Sequence, residues 1–118
     1  MQKSKVALVK CESYDEKKVC LAVARAIELL GGIQKFTKHE DSVLLKPNLL
    51  SPQTPDKAVT THPAVFYAVG KYFQDSDPSL KLSYGDSAPK GTTDKILSVT
   101  GIKDAAGKLN IPDRKSVV

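Results

Sequence analysis

Ser42-Val43-Leu44-Leu45-Lys46-Pro47-Asn48 is the stretch on which the fold turns. Its apolar residues follow one another without polar alternation, which predicts a short buried strand, and Pro47 ends the ladder because it has no amide hydrogen. Upstream, Val6-Ala7-Leu8-Val9 has the same character and predicts a first strand buried on both faces. Between the two, Ser13-Tyr14-Asp15-Glu16 offers a capping box. Val19, Val23, Ala26, Ile27 and Leu30 follow at helical spacing, and Gly31-Gly32 supplies the stop.

Downstream the pattern repeats. Pro47 to Thr60 is a long loop containing Pro47, Pro52 and Pro55, a length that favours either a binding role or a disordered excursion. Thr60-Thr61-His62-Pro63 predicts a helix start capped by threonine, and Val65, Val69, Tyr72 and Phe73 its buried stripe. Leu80-Lys81-Leu82-Ser83-Tyr84 is a third strand with one face less buried. After Gly85-Asp86-Ser87 come two short helical stripes, one through Ile96, Leu97 and Val99 and one through Ile102, Ala105, Ala106 and Leu109. Val117-Val118 would begin a fourth strand.

Strand and helix in alternation predict an α/β fold, a small three-layer αβα arrangement with a mostly parallel sheet of three or four strands. Two long helices are few for covering both faces of such a sheet. Residues 1–118 are therefore expected to form a single partial α/β domain, an incomplete doubly wound fold that continues in longer relatives and has marginal stability alone.

Composition agrees with one modest core. The 118 residues carry 18 basic and 13 acidic side chains, a formal charge of +5, and 41% apolar content. No apolar run approaches the length of a membrane span, and Met1-Gln2-Lys3 leads straight into a strand-like run, so a soluble cytoplasmic protein is expected. Basic residues are spread along the chain and not interleaved with exposed aromatics, which disfavours nucleic acid. Cys11 and Cys20 have no redox spacing and no neighbouring ligands for zinc or an iron–sulfur cluster, so they are expected to pack as small hydrophobes. The dinucleotide fingerprint and the phosphate-loop motif are both missing.

The candidate site lies where strands end. In a parallel sheet the residues after each strand meet at one rim, where ligands bind. Lys46 and Asn48 follow one strand there, and Asp86 and Ser87 another, with Thr61 and His62 at a helix start facing the same rim. Lys46 would neutralise phosphate or carboxylate, helped by helix-start amides. Asn48 and Thr61 would contact the ligand, although Asn48 serves equally to hold its own loop. Asp86 would hold a divalent metal or orient the ligand, Ser87 would donate to an anion, and His62 or Asp86 would move a proton in any acid–base chemistry. Each also has an ordinary role: Lys46 reaching water, His62 beside its cap, and Asp86 and Ser87 satisfying their own turn.

Four blocks together carry a family resemblance: Val6 to Lys10, Leu44-Leu45-Lys46-Pro47-Asn48-Leu49-Leu50, Thr60-Thr61-His62-Pro63, and Gly85-Asp86-Ser87. The chain resembles, to about Ile111, the amino-terminal part of an uncharacterised bacterial and archaeal domain family. That family is often fused to or associated with ferredoxin-like modules carrying 4Fe-4S clusters. The resemblance implies further strands in longer members and a redox setting. The clusters belong to longer or associated members, since two cysteines cannot hold one.

The expectation is an uncharacterised domain that binds a small anionic ligand or a metal–anion pair at the strand rim, with a redox-associated enzyme as the setting the resemblance implies. The alternative is a non-catalytic interaction module whose proline-rich loop and open sheet edge dock a missing carboxy-terminal domain, a ferredoxin-like module or a second copy.

Overall fold

The computed structural model describes residues 3–85 and 93–114. Their order is α1 (Glu16–Leu29), β1 (Ser42–Leu45), α2 (Pro63–Ser76), β2 (Lys81–Tyr84), α3 (Thr93–Val99) and α4 (Ile102–Leu109), with 3-10 turns at Ile33–Lys35 and Pro55–Lys57. β1 and β2 pair in parallel, Ser42 opposite Lys81 and Leu45 opposite Tyr84. One bond extends the ladder at each end: the Lys81 amide donates to the Asp41 carbonyl at 2.9 Å and the Gly85 amide to the Leu45 carbonyl at 3.1 Å.

The opposite edge of β2 carries a single parallel bridge between Tyr84 and Asp113. It is made by Tyr84 N–H donating to the Pro112 carbonyl and Arg114 N–H donating to the Tyr84 carbonyl. The fourth strand expected at Val117-Val118 lies outside the described residues.

Pleating decides which side chains enter the core. Leu45, Leu82 and Tyr84 point inward with Phe66 and Phe73 of α2, Ile96 and Leu97 of α3, and Ile102 and Leu109 of α4. Phe66 meets Tyr84 edge to face at 5.6 Å, fixing α2 across the sheet. Among the described residues the other face is less covered: Ser42 and Lys81 are exposed, Leu44 is 42% exposed and Ser83 is half-buried. The α/β class is as expected. The described residues pair two strands where three or four were expected.

The run Val6–Val9 accounts for most of this difference. It makes no ladder with β1, and Val6 and Leu8 are 88% and 94% exposed. Burial on both faces requires cover on both faces, and among the described residues Val6 and Leu8 have none.

Two caps also differ from expectation. Asp15, not Ser13, caps α1, its carboxylate accepting the Lys18 amide at 3.2 Å while the Ser13 hydroxyl accepts the Asp15 amide. A carboxylate at this position also answers the positive end of the helix dipole. The other end of α1 behaves as predicted: Gly31 and Gly32 have φ of 113° and 85°, and their amides donate back to Glu28 and Ile27.

Candidate functional site

Parallel pairing carries the chain out of β1 and β2 at the same end. Lys46, the first residue beyond β1, is exposed there, and Gly85 is hydrogen-bonded to the last residue of β1. The loop that follows returns to its starting point. The Asn48 amide donates to Thr61 Oγ1 at 2.8 Å, the Thr61 amide donates to the Asn48 carbonyl at 3.1 Å, and Asn48 Nδ2 donates to the Val59 carbonyl at 3.5 Å. Leu49 is buried beneath, and the turn Pro55–Lys57 folds the middle, where Thr54 donates to Asp56. The long loop is thus a closed, anchored excursion whose ends meet.

That closure sets the start of α2 at the rim. The Thr61 hydroxyl is engaged by Asn48, so capping passes to His62, whose Nδ1 accepts the Ala64 amide at 3.0 Å. Pro63 has no amide hydrogen, and the Val65 amide donates to the His62 carbonyl at 3.0 Å. The expectation that helix-start amides would hold an anion therefore requires correction, because each is absent or already bonded within the chain.

His62 adopts a definite state. A ring nitrogen that accepts an amide hydrogen carries no proton itself, so the neutral imidazole bears its hydrogen on Nε2. Its ring lies flat on Tyr14, centroids 3.7 Å apart and planes 2° from parallel. Burial pushes the His62 pKa below its ordinary value of 6.5.

The ring opens onto a cleft of about 240 Å³ lined by Tyr14, Glu16, Tyr67, Gly101 and Lys108. Lys108 reaches to 3.9 Å from the Glu16 carboxylate and lies 5.6 Å from the centre of the Tyr67 ring. Lys46, Asn48 and Thr61 do not line this cleft. The backbone thus groups Lys46, Asn48, Thr61 and His62 at one end of the fold, while the imidazole faces another opening.

Asp86 and Ser87 lie outside the described residues, although Gly85 delivers the chain to the rim immediately before them. Sequence reasoning missed the cleft of Tyr14, Glu16, Tyr67 and Lys108, because it joins three helices through side chains with no common spacing. Among the described residues no group of three His, Cys, Asp or Glu side chains is placed to hold a metal ion. Cys11 is exposed and Cys20 half-buried, both as free thiols, and burial raises the Cys20 pKa with help from Glu16. These residues do not fit a four-cysteine cluster.

Two parallel strands ending beside a helix start, under a closed loop, define a small α/β domain with an outward-facing strand rim. The chain belongs to the family described as Domain of unknown function (DUF362), whose model matches residues 43–115, well over half of the sequence. It is 33% identical over 107 residues, 91% of its length, to a thylakoid-associated protein of Synechocystis sp.. The chain spans about a third of that curated relative's length. No solved structure matches the chain. The resemblance drawn from the Lys-Pro-Asn, Thr-His-Pro and Gly-Asp-Ser blocks is borne out at the level of an uncharacterised domain family.

Proposed function

We propose that the rim beyond β1 and β2 binds a small anionic ligand, or a metal–anion pair, with Lys46 supplying the neutralising charge. The observation that supports this reading is the Asn48–Thr61 closure, which holds the start of α2 beside the loop after β1, at the end of the sheet where the parallel strands β1 and β2 both exit. Because the amides of α2 are occupied, its first turn acts on an anion only through the helix dipole. In this reading Lys46 and the residues after Gly85 contact the ligand. Asp86 orients the anion or holds a divalent metal, and Ser87 donates to it. Asn48 and Thr61 shape the loop. Should bond chemistry follow, Lys46 stabilises developing negative charge and Asp86 moves the proton, since the His62 ring lines a different cleft from Lys46. A cytoplasmic setting belongs to the same proposal and is supported by the two free thiols.

Calorimetry with inorganic phosphate, nucleotides and Mg²⁺ tests it. Binding that weakens at least tenfold in Lys46→Ala and again in Asp86→Ala is the expected result. Phosphate or nucleotide binding that is indifferent to both changes, or lacking in the unaltered chain, would defeat the proposal.

A second reading, a non-catalytic interaction module that docks a further domain such as a ferredoxin-like one, is favoured by a separate observation. Val6, Leu8, Leu44 and Leu50 are all exposed apolar side chains.

A further inference from the structure

Residues 3–10, Lys-Ser-Lys-Val-Ala-Leu-Val-Lys, have the composition of a strand and none of its bonds. Among the described residues no backbone hydrogen bond is made by any of the eight. Their side chains nevertheless alternate as a strand's do: Ala7 and Val9 are half-buried while Val6 and Leu8 stand in water. Ala7 and Val9 line a groove of about 490 Å³ with Val19, Val23 and Ala26 of α1 and Val65 of α2. Tyr14, stacked on His62, fixes the far end of the segment beside α2. An extended run is thereby held over an apolar helical face with its hydrogen-bonding edges open, the arrangement that makes an edge a template for another strand.

We propose that residues 3–10 form a β-strand by pairing with an extended segment of a second polypeptide that is apolar at alternate positions and acidic at its flanks. The inference rests on the interaction-module reading and specifies its site. Charge selects the occupant. Lys3 and Lys5 lead into the apolar centre of the run, Lys10 follows it with the Glu12 carboxylate 3.1 Å from its ammonium, and the chain as a whole carries +5. Directly opposed like charges disfavour strand pairing, whereas opposite charges favour it. A second copy would bring the same lysines against these. Backbone bonds would supply the attachment and the outward Val6 and Leu8 its apolar contact, the pattern of strand addition.

The test is an amide-resolved NMR titration of the full chain with the synthetic peptide Glu-Val-Thr-Val-Thr-Val-Glu. Three comparisons accompany it: the same peptide N-methylated at consecutive residues so that the amides of both edges are blocked, a lysine-flanked version, and the Leu8→Lys chain. Leu8→Lys leaves folding intact because that side chain is already in solvent. The expected result is shifts confined to residues 3–10 with slowed amide exchange there, and affinity reduced at least tenfold by each of the three changes.

Equal binding of the N-methylated peptide would keep docking but overturn strand pairing. Equal binding of the lysine-flanked peptide would overturn the acidic occupant. Silence at residues 3–10 up to millimolar peptide would overturn the inference, and shifts at Leu44 or Leu50 instead would leave the interaction-module reading standing. Sedimentation showing a dimer abolished by Leu8→Lys would assign the strand to a second copy and refute the proposed partner.

Discussion

Replacing Gly70 by alanine probes how tightly α2 is held between the sheet and α4. A Cβ at this position would stand 2.5 Å from Leu109 Cδ1 and 3.2 Å from Leu45 Cδ1, whereas carbons in good contact sit at roughly 3.5–4.0 Å. Leu109 is buried, so its side chain has little room to withdraw. Overpacking of this kind costs about 1–3 kcal/mol, and the gain from placing alanine inside a helix offsets about 1 kcal/mol. The net expectation is a loss of about 0–2 kcal/mol. Gly107 provides the internal control, since it too is helical but a Cβ there meets nothing within 4 Å. Gly107→Ala should therefore gain about 1 kcal/mol from propensity alone. Urea unfolding followed by circular dichroism reads both: the midpoint of Gly70→Ala should fall, that of Gly107→Ala should rise, and the slopes should match. Equal stabilisation of the two variants would refute the close approach of α2 and α4 on which this account of the core depends.

The loop closure predicts that Thr61→Val, which removes the acceptor of the Asn48 amide, costs about 1 kcal/mol and speeds hydrogen exchange at Asn48; unchanged exchange there would contradict the closure. At His62 the folded chain binds a proton less readily than the unfolded one, so this group's contribution is complete above pH 6.5 and is lost as pH falls through the lower folded value. The cap is worth about 1 kcal/mol, and stability measured between pH 8 and 5 should decline by that order in the native chain but not through this group in His62→Asn, which keeps a capping side chain. Asp77 titrates in a different window. The Ser79 hydroxyl, donating to its carboxylate at 2.7 Å, is the largest cause holding its pKa below 3.8, and the Ser79 amide also donates to it. Its contribution is present above pH 3.8 and lost as pH falls through the depressed value, and Ser79→Ala should move the NMR-measured carboxylate pKa upward.

What the sequence made legible was whatever local chemistry dictates. Gly31-Gly32 ended α1 because left-handed backbone was needed there, and Pro63 opened α2 because a first helical turn tolerates a missing donor. The strand at Ser42–Leu45 followed from a short apolar run ended by Pro47, and the one at Lys81–Tyr84 from apolar and polar residues in alternation. The run Val6–Val9 has equally good strand chemistry, yet strand formation is a property of pairs, and no partner strand is present among the described residues. Its alternating burial survives as a trace of that chemistry without the ladder. The capping residues were misplaced for a related reason. A threonine before Pro63 is a sound local choice, but Thr61 is engaged by Asn48, thirteen residues away, and only folding reveals that competition.

The same competition narrows the chemistry of the rim. A helix start invites an anion because its first amides lack partners, and here that condition is not met: Pro63 has no hydrogen to give, Ala64 gives to the His62 ring, and Val65 gives to the His62 carbonyl. An anion at this end would feel the dipole of α2 without bonding to it, a contribution of roughly 0.3–1 kcal/mol at an exposed site. That is too little by itself to give useful affinity, because a millimolar dissociation constant already requires about 4 kcal/mol. Under the proposed reading the remainder comes from charge-assisted contacts by Lys46 and by the residues that follow Gly85. Removing Lys46 should therefore abolish measurable anion binding, whereas replacing Thr61 should weaken it only through the loop.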